Sequence, residues 1–193
     1  MPNKPSYLGL LNAISIAEGR AHTYLRAWAE CTPSDDVRHV LLTVAAREGE
    51  HQMSFAKRIN ELGYEVRTKP EDAADGDKAL ALVRSDCSDL EKMRALKLHK
   101  LDTGDKPDVF DNFFKDHSID IRTGELLGRY IAEERDSARL LRSCYKELAA
   151  GAGQQQDDDR IAAIEEKLDT VCAMVEQLCA TVAPNGTKVR VKK

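Results

Sequence analysis

Three residues of metal-binding type, Glu18, Glu48 and His51, fall in apolar helical stripes at positions where leucine or isoleucine belongs. A carboxylate buried among apolar side chains is costly unless it is paired, protonated or bound to a cation. Within Glu48-Gly-Glu-His51 the spacing of three places carboxylate and imidazole one turn apart on a single helical face, so both can reach one point inside a bundle. Carboxylates with an imidazole and no thiolate suit iron or manganese, and zinc is compatible as well. A third inward carboxylate, Glu134, fills the vacant centre of a later stripe.

Helices must aim these side chains. Ser6 can cap a first helix running to about Cys31, whose stripe of Leu11, Ile14, Ala21, Leu25 and Trp28 leaves Glu18 at its centre. Thr32-Pro33-Ser34-Asp35 reads as a turn, with Thr32 as N-cap, Pro33 at the first helical position and Asp35 as a capping-box carboxylate. The second helix ends near Leu62, before Gly63, and its stripe is Val37, Leu41, Val44, Phe55, Ile59 and Leu62. Glu18 lies 15 residues before Pro33 and Glu48 lies 15 after it, so an antiparallel pair brings the two to one level.

Residues 64–78 are polar and punctuated, which predicts a long connection between two hairpins. A third helix from about Ala79 to Asp102 carries Leu80, Val83, Cys87, Leu90 and Leu101, with Arg94 and Lys97 where its apolar face continues. Thr103-Gly104-Asp105-Lys106-Pro107 breaks it, and Asp108 to His117 resumes it. The fourth helix, about Ser118 to Ala149, has the stripe Leu127, Ile131, Ala138, Leu141, Tyr145 and Leu148 around Glu134.

Residues 1–149 therefore read as the bundle and 150–159, rich in Gly, Gln and Asp, as a flexible linker. Residues 160–183 read as a coiled-coil oligomerisation helix, because Ile161, Leu168, Val175 and Val182 alternate with Ile164, Val171 and Leu178 in a seven-residue repeat. A homo-oligomer through this segment is expected. Residues 184–193 are a short basic tail.

Composition limits the function classes. The 193 residues, 42% hydrophobic and 32% charged, suffice for one domain with a real core and an appendage. A net charge of -4 argues against a nucleic-acid partner. Five widely spread cysteines without a Cys-x-x-Cys pair indicate neither a disulfide framework nor a thiolate zinc site. Met1 to Ser6 lacks the apolar core of a signal peptide and no 18-residue apolar run exists, so a cytoplasmic protein without membrane partners is expected.

Ala17-Glu18-Gly-Arg-Ala21-His-Thr-Tyr24 and Arg47-Glu48-Gly-Glu-His51-Gln-Met-Ser-Phe-Ala-Lys-Arg58 resemble the first two helices of rubrerythrin and its ferritin-like relatives, and Ile131-Ala-Glu-Glu134-Arg-Asp-Ser137 resembles their fourth. The resemblance spans residues 6–149. It implies an all-α, ferritin-like four-helix bundle with a crossover between helices 2 and 3. It also implies a non-haem iron centre of one or two irons, with Glu18, Glu48 and His51 on one iron and Glu134 beyond. The implied activities are peroxide reduction, oxygen activation or iron storage, an oxidoreductase chemistry fed by an external electron donor.

The chain departs from that pattern. Where the fourth helix should repeat Glu-x-x-His it has Glu134-Arg-Asp-Ser137, a hydroxyl in place of the second imidazole. Glu133 with Asp136 is the alternative register, set second because Asp136 points away from the apolar face. The third-helix ligand level falls near Gly104, with Asp102 and Asp105 as neighbours. Glu134 has a rival role as a structural ion pair with Arg94 or Lys97. Tyr24, Tyr130 and Tyr145 could lie near a metal and take part in electron transfer but read first as core, and His22, one turn from Glu18 at the edge of the first stripe, is a candidate replacement ligand. No paired Cys-x-x-Cys supplies a rubredoxin module. The alternative reading of the whole chain is a non-enzymatic oligomeric scaffold with a degenerate or absent metal site.

Overall fold

The computed structural model describes residues 4–101 and 109–182. Among these every regular element is helical: α1 (Leu8–Cys31), α2 (Asp35–Glu61), α3 (Pro70–Val83), α4 (Asp89–Ala95) and α5 (Ile121–Val182), with 3₁₀ turns at Leu98–Lys100 and Val109–Lys115. No described helix is long and apolar enough to cross a membrane. Contacts divide the chain into two compact units, residues 1–148 and 149–193.

α1 and α2 pair antiparallel. The Ser15 hydroxyl donates to the Gln52 carbonyl, His22 Nδ1 lies 2.6 Å from the Ala45 carbonyl, and the Arg38 guanidinium donates to the carbonyls of Ala29 and Thr32. Those last two bonds satisfy carbonyls that the end of α1 would otherwise leave open. Ser34 rather than Thr32 caps α2, accepting from Val37 N at 3.3 Å, so Pro33 precedes the cap instead of opening the helix. The Thr32 hydroxyl is drawn away, donating to Asp89 at 2.5 Å. Ser6 likewise does not cap α1, which starts at Leu8; its hydroxyl bonds to Asp116 and Ser118. Gly63, at φ 84°, lets the chain leave α2 with its N–H returned to the Asn60 carbonyl.

Residues 64–101 depart most from expectation. α3 begins at Pro70, inside the stretch read as a connection, and α4 is a separate helix, so no continuous helix runs from Ala79. Local caps make the difference: Pro70 stands at the first helical position, Asp72 accepts from Lys69 N, and Ser88 with Glu91 opens α4 as a reciprocal capping box. Lys97, at φ 60°, ends the α4 turn. The segment follows α1 in the same direction, since Asn12 bonds the Arg67 backbone, Arg20 reaches Asp72 and Asp75, and Trp28 Nε1 donates to Asp89. By Phe110 and Phe113, packed with Tyr130, Tyr7 and Leu8, the chain is back at the level where α1 begins. Val109–Lys115 is a 3₁₀ turn, not the resumed α-helix expected up to His117. Asp102, Asp105 and the expected break at 103–107 lie outside the described residues, as does the basic tail at 184–193.

Up to residue 148, α5 runs antiparallel to α2, with Thr123 at Arg58, Glu133 at His51 and Asp136 at Arg47. Asp120 ties its start: it accepts from Thr123 N, Tyr7 OH and Arg58. Burial alone would raise the Asp120 carboxyl, but these hydrogen bonds outweigh it and hold the group well below the usual range. Residues 150–159, expected as a linker, are helical and belong to α5. Gly151 and Gly153 oppose a helix there at about 1 kcal/mol each and the three Asp somewhat less, while Gln154 bonds Asp158 one turn on.

The apolar core of the first unit is split in two. One cluster gathers Leu25, Trp28, Leu41, Val44, Met93 and Leu141; the other gathers Leu11, Ile14, Phe55, Ile59 and Leu127. Each fully buried Leu or Phe contributes about 1.5–3 kcal/mol, enough to offset one costly polar layer. Along α1, α2 and α5 that layer falls at Glu18, Glu48, His51 and Glu134.

Candidate metal centre

Four side chains from three helices converge. Glu18 from α1, Glu48 and His51 from α2 and Glu134 from α5 each bring one ligand atom to within 4.8 Å of all the others. The first three are 6%, 5% and 3% exposed, and Glu134 is half-buried. Gly49 keeps the two hairpin helices close, because a Cβ there would meet His22 Nδ1 at 2.7 Å.

Both imidazole nitrogens of His51 face carboxylates. Nε2 lies 2.7 Å from Glu133 Oε2, and Glu133 in turn accepts from Arg129 Nε at 2.9 Å. An Nε2–H donated to Glu133 leaves the Nδ1 lone pair pointing at Glu134 (3.4 Å), Glu48 (3.7 Å) and Glu18 (3.9 Å). Neither His51 Nδ1 nor Glu134 Oε1 has a hydrogen-bond partner although both atoms are buried; the one other such atom among the described residues is His99 Nδ1. Buried polar atoms are rarely left so, and two of them 3.4 Å apart in one acidic pocket leave room for a cation between them.

Without a metal, protons must balance the charge. Burial disfavours the His51 imidazolium, yet Glu134, Glu18, Glu48 and Glu133 outweigh it and push the group up to about 12. Burial, reinforced by the neighbouring carboxylates, pushes Glu48 up to about 9, although His51 pulls the other way. Burial would raise Glu18 as well, but hydrogen bonds with His51, Glu48 and Tyr130 hold it below its ordinary value. The metal-free cluster thus keeps protons on His51 and Glu48 at neutral pH.

Tyr130 belongs to the centre, where the sequence reading leaves it in the core. Its hydroxyl donates to Glu18 Oε1 at 2.9 Å and its ring stands edge-on to His51 at 5.0 Å. Glu133 belongs here too, although its partner in the second register, Asp136, does not: Asp136 pairs with Arg47 at 2.6 Å and with Arg139. The available signal was spacing, since Tyr130 precedes Glu134 by four residues and shares its helical face. Arg94 bonds Tyr145 and is exposed, as is Lys97, so neither is the partner of Glu134. His22 stays on the Ala45 carbonyl and outside the cluster.

Ser137, where a second imidazole was expected, is buried and accepts from Arg47 Nη1 at 3.4 Å. A cavity of about 420 Å³ reaches Glu18, Glu48, Glu134 and Ser137, and its apolar wall includes Tyr24, Val44 and Leu141. Comparison of the chain with models of protein families, with curated proteins and with solved structures gave no match in any of the three.

Proposed function

We propose that residues 6–149 form a ferritin-like four-helix arrangement with a crossover, holding one transition-metal ion, iron in the first place, between Glu18, Glu48, His51 and Glu134. The observation that carries this reading is the convergence of four ligand atoms within 4.8 Å of one another, two of which, His51 Nδ1 and Glu134 Oε1, are buried and make no hydrogen bond. Carboxylates with one imidazole fit iron or manganese, and zinc is compatible. The chain directions support the arrangement: α1 and the first part of α5 run together against α2, and the segment 64–101 lies where a crossover would.

A bound iron would supply redox and Lewis-acid chemistry toward peroxide or dioxygen, or be handled as stored metal. The chain's own residues do the rest. Glu133 sets the His51 tautomer so that Nδ1 faces the metal position, and Tyr130 holds Glu18 by one of its oxygens. The cavity admits small molecules to the face formed by Glu18, Glu48 and Glu134. Electrons would come from another protein or a small reductant. One ion, not two, is favoured because the Arg47 guanidinium sits on Ser137, on the side where a second ion would need a ligand.

A second reading, a scaffold whose polar layer is a protonated ion network, draws on the 2.7 Å contact of His51 with Glu133. Loading the purified chain with ferrous iron or manganese separates the two. About one equivalent per chain with a raised melting temperature supports the metal centre. No retained metal and an unchanged melting temperature would sink it and leave the scaffold.

A further inference from the structure

In the second unit, Ile161, Ile164 and Leu168 are 54%, 63% and 61% exposed on α5. Large apolar side chains clustered on one bare helical face call for a covering surface. The sequence continues the same face: Ile161, Leu168, Val175 and Val182 at the first heptad position, and Ile164, Val171 and Leu178 at the fourth. Seven successive positions are apolar without a polar interruption. A spacing averaging 3.5 residues drifts around a straight helix, and it stays on one face only where two helices of the same period wind together.

The flanking charges name the partner and its direction. Asp158 and Glu165 occupy the position just after the fourth, and Arg160 and Lys167 the position just before the first. In a parallel pair these two sets face each other, and Arg160 of one copy meets Glu165 of the other. In an antiparallel pair that keeps the apolar layers in contact, these charged positions, all in the first half of the segment, fall opposite uncharged ones, and the Arg160–Glu165 contact is lost. Only the parallel, in-register pair forms this contact, once on each side, and a second copy of this chain supplies it.

We propose that residues 161–182 wind with the same segment of a second copy of this chain into a parallel, in-register coiled coil. Light scattering on the full chain tests it. The wild type is expected at twice the 21.5 kDa chain mass or above, and Leu168→Glu at the single mass with the helical circular dichroism of the first unit retained. Arg160→Glu should weaken association roughly three- to tenfold, two interchain pairs being lost per dimer, and adding Glu165→Arg should restore it. A wild type of single-chain mass at tens of micromolar overturns the proposal, as does an assembly indifferent to Leu168→Glu. An Arg160→Glu effect that Glu165→Arg fails to reverse overturns the parallel direction.

Discussion

Across the polar layer two helical turns of similar plan face one another, Glu48-Gly-Glu-His51 on α2 and Glu134-Arg-Asp-Ser137 on α5. The first turn commits both ends to the cluster, and His51 reaches carboxylates from all three helices with its two nitrogens. The second commits only Glu134, while Ser137 takes a hydrogen bond from Arg47. A histidine and a serine one turn from a glutamate thus lead to different local charge. The first turn gathers negative charge that asks for a cation; at the second a guanidinium is already in place. On the proposed reading, this difference separates a centre for one ion from one for two.

The largest effect should come from the intact turn. His51→Ala is expected to lower iron affinity by more than about 100-fold, beyond the loss typical of an outer partner. It should also destabilise the metal-free chain by about 3 kcal/mol, because the buried carboxylates lose their imidazolium. Metal analysis and urea unfolding measure the two effects, and a variant that keeps its iron would break the comparison at its root.

Acidity offers the next test. Folded Glu48 holds its proton up to about 9, against 4.5 as the ordinary value, so the metal-free folded state carries an extra proton across that window. His51, pushed up to about 12 from 6.5, adds to the effect above 6.5. Both raised values mean that metal-free stability is full at the acid end and falls as pH rises. A cation needs deprotonated ligands, so the metal-loaded chain should gain stability over the same range. Melting temperatures with and without manganese between about pH 5 and 9 should therefore diverge; parallel curves would remove the cation from the account.

Glu133 sharpens the first turn without belonging to it. Glu133→Gln keeps the shape but weakens the hold on the His51 tautomer, and metal affinity is expected to drop about 10- to 100-fold with the helical content unchanged. Isothermal titration with manganese reads it, and an unchanged affinity would mean that Glu133 serves only Arg129. The smallest effect belongs to the second turn. Ser137→Ala should leave the metal content alone and cost about 0.5–1.5 kcal/mol, the worth of one hydrogen bond. Loss of metal in that variant would make Ser137 a ligand and erase the contrast.

The hairpin was legible because its information is local and repetitive. The stripes of α1 and α2 and the equal distances of Glu18 and Glu48 from the turn put these residues and His51 at one level, and the distances agree. The region from 64 to 101 was not legible. Its helices are short and begin at local caps, Pro70 and Ser88, that compete with a weak apolar period, so a long helix was read across two shorter ones. Residues 150–159 misled in the other direction, since a Gly- and Gln-rich composition does not itself break a helix that has begun upstream.

What the sequence determined by itself is what periodicity and spacing encode: helices throughout the described residues and the inward carboxylates with His51, beside a seven-residue apolar repeat after residue 160. What only the tertiary structure decided depends on residues far apart in the chain. It places Glu133 on the outer nitrogen of His51, Tyr130 on Glu18, and Arg47 on Ser137, in contacts 82, 112 and 90 residues apart. A helical period tells which way a side chain faces, but not which atom of another helix it meets, because that depends on the relative rotation and level of packed helices.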